Sequence, residues 1–430
     1  MSDTLDNNEA RQGLLRHSIF LFAATQVANV ANLLFQFVTG RQLPVEEYGV
    51  LGAMMSIFLI ASTPLDALRT AMAHFATRAV RTGNLGAIRW IVIAWSRNMV
   101  WLAFGLMTMA VLFRHQAAAF FQLDHGLPFV VACGLVSLSL FLPLLNGVFQ
   151  GLQQFYWMSA SMHAWTVIKL GLVIVLTAWS PTAIAALSAH ALATLFGIGI
   201  SIWGISRLTR GNLADRPATG IGGFFFRSLL MLGSYAVMMN ADLIFVKHLF
   251  TPDEAGEFAR AATIGRSVIF LPMPIALVMF PKVITSGPST RYSRVTLLKA
   301  IGLVGLLITG AVGAILLMPW LPLRLMYGID EPTAEMTRLL CLFVASIAPL
   351  ALTFLLMNYE MAQRRFGMTW LLVVCAALYI GGVVVWHDTM EHVVMVLAGV
   401  SVLSAVGFTA AILFRAGRRH GHAPAGDVTV

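Results

Sequence analysis

The stretch "NLLFQFVTGRQLPVEEYGVLGA" (residues 32–53) has a counterpart in "NADLIFVKHLFTPDEAGEFARA" (residues 240–261). Both contain an asparagine, an apolar helix end, a basic residue, a loop with proline and acidic residues, and a glycine that opens the next helix. The long helix that follows is interrupted by Pro64 in the first half, and by Pro272 and Pro274 in the second. The shorter strings "GLQQF" and "AQRRF" recur at a similar spacing. The pattern predicts that the chain consists of two related halves.

The composition predicts that the chain lies in a membrane. Of 430 residues, 58% are hydrophobic and 11% are charged, whereas about 25% are charged in typical globular proteins. Apolar runs long enough to cross a bilayer recur from end to end. Because hydrocarbon offers no partners to backbone polar groups, these runs must be helices. We predict an all-α polytopic membrane protein with about 12 transmembrane helices. The predicted spans are residues 17–40, 48–78, 89–113, 127–150, 157–179, 182–206, 223–250, 255–285, 297–318, 333–357, 366–386 and 391–414.

Six spans in each half give the two halves the same orientation in the membrane. They are therefore expected to form two six-helix bundles related by a pseudo-two-fold axis along the membrane normal. The predicted domains are an N-lobe at residues 1–207, a cytoplasmic linker at 208–222, a C-lobe at 223–419 and a disordered cytoplasmic tail at 420–430.

The distribution of basic residues predicts the orientation, because cytoplasmic loops carry an excess of Lys and Arg. With the N-terminus inside, the cytoplasmic segments hold Arg11, Arg16, Arg78, Arg81, Arg89, Arg207, Arg210, Arg216, Lys282, Arg291, Arg294, Lys299, Arg364, Arg365, Arg415, Arg418 and Arg419. The opposite loops hold Arg41, Arg114, Lys247 and Arg324. We therefore expect both termini to be cytoplasmic. This bias and contact with anionic lipid account for the net charge of +9, so nucleic acid is not expected as a partner.

Several functional classes are not expected. The loops are too short for a separate catalytic domain, so we predict that the protein is not an enzyme. Cys133, Cys341 and Cys375 lie in different predicted helices and are too scattered for a metal site. His420 and His422 are interpreted as part of a solvated tail. We therefore predict no cofactor and no bound metal.

Charged residues in "TPLDALRTAMAHFATR" interrupt one of the apolar runs. On a helix, Asp66, Thr70, His74 and Arg78 form one stripe, and Arg69 lies one turn from Asp66. A lipid-facing charge near the midplane costs on the order of 3 kcal/mol or more. The stripe is therefore expected to face protein or a water-filled cavity.

Other polar residues also occur within predicted spans, and together they are more basic than acidic. This balance suits an anionic diphosphate, and arginine donates two parallel hydrogen bonds to phosphate oxygens. We predict a substrate-binding cavity that contains Arg69, Asp66, Lys169, Arg266, Arg260, Asp242 and Asn240.

Structural roles remain open for several of these residues. Asp66 and Arg69 could form an ion pair that fixes a kinked helix, and Asp242 could cap its helix or pair with Lys247. The energy source is also open. Asp66, Asp242 and Glu360 are candidates for proton or sodium coupling. Alternatively, an inside-negative membrane potential favours outward movement of anions by about 2.3 kcal/mol per charge per 100 mV.

The sequence resembles the polysaccharide transport (Wzx-like) flippases of the multidrug/oligosaccharidyl-lipid/polysaccharide (MOP) superfamily. The resemblance is sharpest in "LPVEEYGVLGAMMSIFLIASTPLDALRTA" and "NADLIFVKHLFTPDEAGEFARAATIGRSVIFLPMPIALVMFPKV". It implies alternating access in a bacterial inner membrane, with a polyprenyl-diphosphate-linked glycan, namely an undecaprenyl-diphosphate-linked oligosaccharide, moved to the outer leaflet. Membrane lipids, a glycan polymerase and the chain-length machinery are its candidate partners. The alternatives are a MATE-like exporter of small molecules, a membrane glycan polymerase or ligase, and a scaffold that does not transport.

Overall fold

The computed structural model describes residues 24–82, 84–208, 222–276, 279, 283, 291–363 and 365–418. Within these residues the regular structure is helical and contains no strand. The predicted all-α class is therefore confirmed. The predicted tail at 420–430 and most of the predicted linker lie outside the described residues.

The described residues of the first half form ten helices, with two irregular turns among them. They are α1 at 24–42, α2 Val45–Ser62, a 3-10 turn Thr63–Leu65, α3 Asp66–Arg81, α4 Leu85–Leu112, α5 Arg114–Phe120, α6 Leu127–Ser139, α7 Phe141–Gly151, α8 Phe155–Ser159, a π-helical turn Ala160–Ala164, α9 Trp165–Trp179 and α10 Ala183–Leu208.

The second half continues in the same way. Its elements are α11 Gly222–Leu249, α12 Pro252–Arg266, a 3-10 turn Ser267–Phe270, α13 at 272–276, α14 Arg291–Leu317, α15 Trp320–Tyr327, α16 Ala334–Ala362, α17 Thr369–Val385 and α18 Met390–Arg418.

In the described part of the chain, nine helical stretches are long and apolar enough to cross a membrane. The shorter apolar helix α17 corresponds to a tenth predicted span. The two remaining predicted spans, at 17–40 and 255–285, extend into residues that the structure does not describe.

The chain divides into two compact units. Unit 1 is Met1–Leu229 with two short later segments, Phe250–Gly256 and Met326–Gly328. Unit 2 is Leu230–Leu249, Glu257–Leu325 and Ile329–Val430. The predicted lobe boundaries remain predictions.

The prolines interrupt both long helices at the positions predicted from the sequence. Pro64 lies in the 3-10 turn between α2 and α3. A second 3-10 turn, Ser267–Phe270, ends α12 shortly before Pro272. Because proline lacks an N–H group, it removes a helical hydrogen bond and favours such a break.

Candidate functional site

The predicted polar stripe occupies one face of α3. Asp66, Thr70, His74 and Arg78 are all exposed within the structure, while Arg69 beside them is half-buried. The opposite face of α3 is buried and consists of small and apolar residues. The four residues thus share one face, as the helical period predicts, and that this face borders protein or a water-filled cavity stays a prediction.

Arg69 and Asp66 form an ion pair. The guanidinium Nη2 lies 3.3 Å from Asp66 Oδ1, and the two side chains are 31% and 57% exposed. Arg69 lies roughly 9 Å past the midpoint of the 37-residue stretch Val45–Arg81, at about 1.5 Å per residue. The pair is therefore partly exposed within a helical stretch long and apolar enough to cross a membrane, and the guanidinium retains N–H groups for another acceptor.

Two glycines of α7 determine how closely α3 approaches. A Cβ on Gly147 would lie 2.5 Å from the Arg69 carbonyl oxygen and 2.6 Å from Met72 Cβ. A Cβ on Gly151 would overlap the Ala73 carbonyl oxygen. Thr77 Oγ1 also donates a hydrogen bond of 3.2 Å to the Gly151 carbonyl. Small residues at this crossing let the two backbones meet, which fixes the position of Arg69.

Lys169 is buried on α9, with 5% of its surface exposed. Its ammonium donates a hydrogen bond of 2.7 Å to Oδ1 of Asn32 on α1. It also lies 4.4 Å from the ring centroid of Phe35 and 5.3 Å from that of Trp165. The cation is thus bound by an amide and two aromatic faces, and no carboxylate contacts it within the described residues.

His190 on α10 shares these aromatic rings. Its imidazole stacks on Trp165 at 5.2 Å and 17°, and it meets the edge of Phe58 at 5.0 Å. It is 3% exposed, and neither ring nitrogen has a hydrogen-bond partner within the described part of the chain. An imidazole carries at least one N–H group, so this burial is costly and requires an explanation.

In unit 2, Asp242 of α11 and Arg266 of α12 form a buried ion pair. Asp242 Oδ1 accepts a hydrogen bond from Arg266 Nη2 and another, of 2.9 Å, from the Leu243 amide. Arg266 Nε donates a hydrogen bond of 2.9 Å to the Met239 carbonyl. The two side chains are 1% and 12% exposed. Capping and pairing with Lys247 were both left open for Asp242, and in the structure its basic partner is Arg266.

The remaining predicted residues are buried or half-buried. Asn240 is buried and donates a hydrogen bond of 3.0 Å to the Ala236 carbonyl. Arg260 is half-buried on α12. Glu360, a candidate coupling residue, is fully buried and accepts a hydrogen bond from Arg415 of α18.

The predicted residues therefore form separate groups. In unit 1, Asp66 pairs with Arg69, whereas Lys169 is bonded to Asn32. In unit 2, Asp242 pairs with Arg266. No group of three or more metal-binding side chains occurs among the described residues. That all these residues line one substrate cavity remains a prediction.

Sequence reasoning missed His190 as a site residue. The signal was available, because α9 and α10 are joined by a short loop and pack against each other. Residues at similar distances from such a loop meet across an antiparallel helix pair. Lys169 and His190 lie on opposite sides of this loop, and they are the ionisable residues nearest to it on the two helices.

Comparisons with known proteins identify the fold. The sequence matches no protein-family model and no curated protein. Among solved structures, it resembles an inward-facing multidrug resistance MATE family transporter of the MOP superfamily. The TM-score is 0.71 with 14% identity, over 93% of this chain and 96% of that chain.

Two further structures show the same architecture. Lipid II flippase MurJ in an inward closed conformation matches with a TM-score of 0.69 and 10% identity, over 92% of this chain and 87% of that chain. A MOP superfamily transporter from Pyrococcus furiosus matches with a TM-score of 0.62 and 16% identity, over 93% and 94% of the two chains. The chain is thus a multi-pass membrane protein with the fold of the MOP superfamily transporters.

Proposed function

We propose that this protein is a flippase that moves an undecaprenyl-diphosphate-linked oligosaccharide from the inner to the outer leaflet of a bacterial inner membrane. Both termini and the linker would lie on the cytoplasmic side. The glycan would then enter cell-surface polysaccharide synthesis, with a polymerase and chain-length machinery as downstream partners.

The observation that carries the proposal is Arg69. It is a partly exposed arginine within a helical stretch long and apolar enough to cross a membrane, and its partner, Asp66, is itself exposed. The pair is therefore open to competition by a stronger anion. A diphosphate offers two acceptor oxygens to the planar guanidinium, and charge-assisted bidentate bonds of this kind are about twice as strong as neutral ones.

The fold supports the same reading, since one of the structures that the chain resembles is a lipid II flippase. The sugar chain needs a polar path, whereas the prenyl chain favours lipid by about 0.8 kcal/mol per methylene. A pathway with few charges, most of them basic, suits such a ligand.

Export of cationic drugs is the main alternative, because a MATE multidrug transporter has the same fold. A drug cation requires an available carboxylate. Asp242 and Glu360 are buried and paired with arginines. Neither of these two carboxylates is available to a drug cation. Asp66, the third candidate carboxylate, is exposed but already ion-paired with Arg69, which favours an anionic substrate.

Transport by purified protein in proteoliposomes tests the proposal. The probe is an undecaprenyl-diphosphate disaccharide with a fluorescent NBD group, and dithionite quenching reports the labelled lipid in the outer leaflet. We expect Arg69→Ala to slow flipping about tenfold or more, because it removes a charge-assisted contact. Arg97→Ala is the matched control, since Arg97 is an exposed arginine of another membrane helix, α4.

Two outcomes contradict the proposal. One is flipping by Arg69→Ala at the wild-type rate. The other is active efflux of ethidium by a protein that leaves the labelled glycan lipid in place, which would favour the drug exporter.

A further inference from the structure

Two bases of unit 1 share one aromatic cage, which we define as the rings of Phe35, Phe58 and Trp165. The ammonium of Lys169 contacts Phe35 and Trp165, at 4.4 and 5.3 Å from their centroids. The imidazole of His190 contacts all three rings, at 6.4, 5.0 and 5.2 Å between centroids. Phe35 and Trp165 therefore contact both bases, whereas Phe58 contacts His190 alone among the two; Trp165 is the ring that stacks on the imidazole.

The two shared rings can stabilise a cation on either base, but not on both at once. Two positive charges within one buried cage repel each other strongly, because little solvent is present to screen them. A carboxylate that could compensate a second charge does not contact either base in the described residues. The cage consequently accommodates one positive charge.

Other ionisable groups on the neighbouring helices do not bind to the two bases. The neighbouring elements are α1, α2, α6 to α8, the π-helical turn, and the remainder of α9 and α10. Apart from tyrosines, their ionisable residues are Arg41, Glu46, Glu47, Cys133, His163 and Arg207. Glu47 accepts a hydrogen bond of 2.6 Å from the Ala183 amide at the start of α10, and His163 lies 3.2 Å from the Thr25 hydroxyl. Among described residues, the one side chain that hydrogen-bonds to the pair is Asn32.

Asn32 connects the cage with its surroundings. It is exposed on α1, and its amide oxygen accepts the hydrogen bond of the Lys169 ammonium. A proton released by Lys169 thus has an outlet at Asn32 to water or to a phosphate oxygen. His190 is also buried and stacks on the shared Trp165 ring, and neither of its nitrogens has a hydrogen-bond partner among the described residues.

We propose that Lys169 and His190 form a single-proton site that couples transport to proton movement. One proton is held on Lys169, where Asn32 and the cage bind the ammonium, and the neutral imidazole of His190 is the second base. When Lys169 is uncharged, the cage can instead hold the charge on His190. This proposal assigns an energy source and does not depend on which anion is transported.

Magnetic resonance of histidine side chains in lipid nanodiscs tests the shared proton without any substrate. The His190 signal is assigned through its loss in His190→Gln. In the wild type we expect it to remain that of neutral imidazole at the acidic end of a pH titration, because Lys169 holds the charge. In Lys169→Gln the signal should shift towards imidazolium at the acidic end. A signal that behaves identically in both proteins would overturn the proposal.

Asn32→Asp provides a second variant at an exposed position, where folding is less at risk. A carboxylate beside Lys169 should hold the proton permanently on the ammonium. In proteoliposomes with the membrane potential clamped, a pH gradient should change the flipping rate of the NBD-labelled glycan lipid several-fold in the wild type. The change should disappear in Asn32→Asp and in His190→Gln, and persist in the control His163→Gln.

The two proposals fail in different ways. Wild-type flipping that ignores the pH gradient would overturn proton coupling and leave the flippase function intact. No flipping of the probe by wild type would overturn the proposed function, while the resonance experiment would still decide whether the proton is shared.

Discussion

Unit 1 and unit 2 each hold a buried basic side chain within a membrane helix, and they stabilise it differently. Arg266 is neutralised by Asp242 and also donates a hydrogen bond to a backbone carbonyl. Lys169 is bound by the Asn32 amide and by aromatic rings, without a carboxylate. A neutralised pair joins two helices permanently, whereas an uncompensated cation responds to protons and anions. We therefore expect the Asp242–Arg266 pair of unit 2 to be structural, and Lys169 of unit 1 to respond to protons and anions.

Replacing Arg266 and Lys169 with methionine, one at a time, should give the largest difference in unfolding free energy between the two units. Arg266→Met leaves the Asp242 carboxylate buried without its partner, which costs about 3–5 kcal/mol of unfolding free energy. Lys169→Met removes a buried charge and leaves no opposite charge unpaired, so the change should stay within about 1 kcal/mol. Unfolding of the two variants in bicelles, followed by tryptophan fluorescence, measures both. Equal losses would show that the two sites do not differ in this way.

Substitutions that test the packing around Arg266 and Lys169 should give a smaller difference in stability. A Cβ on Gly265, next to Arg266, would overlap the buried ring of Phe343, whereas a Cβ on Gly171, near Lys169, meets nothing within 4 Å. We expect Gly265→Ala to cost about 1–3 kcal/mol through overpacking. Gly171→Ala should leave stability unchanged or slightly raised. Thermal midpoints from fluorescence-detected size exclusion compare the pair, and a stable Gly265→Ala protein would contradict close packing in unit 2.

The exposed pair of α3 should show the smallest effect on stability. Asp66→Asn removes an ion pair whose members are both partly exposed, and such pairs contribute about 0–1 kcal/mol. The exchanged pair, Asp66→Arg with Arg69→Asp, should therefore accumulate normally. It should still flip the labelled glycan lipid poorly, since the arginine has moved to another position on the helix. Full flipping by the exchanged protein at normal abundance would make Arg69 structural.

Local features of the chain were predictable because they depend on the helix itself. The stripe of α3 followed from residues four apart, and the break at Pro64 followed from the missing N–H group. The partner of Asp242 did not follow, because Lys247 is near in sequence but Arg266 is the base that α12 brings to the carboxylate. The partner of Glu360 was likewise not visible in the sequence; in the structure it is Arg415 of α18.

By itself, the sequence determined that the chain is helical, that it crosses a membrane repeatedly and which face of α3 is polar. These properties follow from backbone hydrogen bonding in hydrocarbon and from the helical period of 3.6 residues. Only the tertiary structure decided that Asn32 binds Lys169 and that Phe35 and Phe58 contact the two bases, because these residues lie on different helices whose approach depends on side-chain packing. The physical reason is that helical periodicity acts within a few residues, whereas a buried charge is stabilised by whatever groups the fold brings within a few ångströms of it.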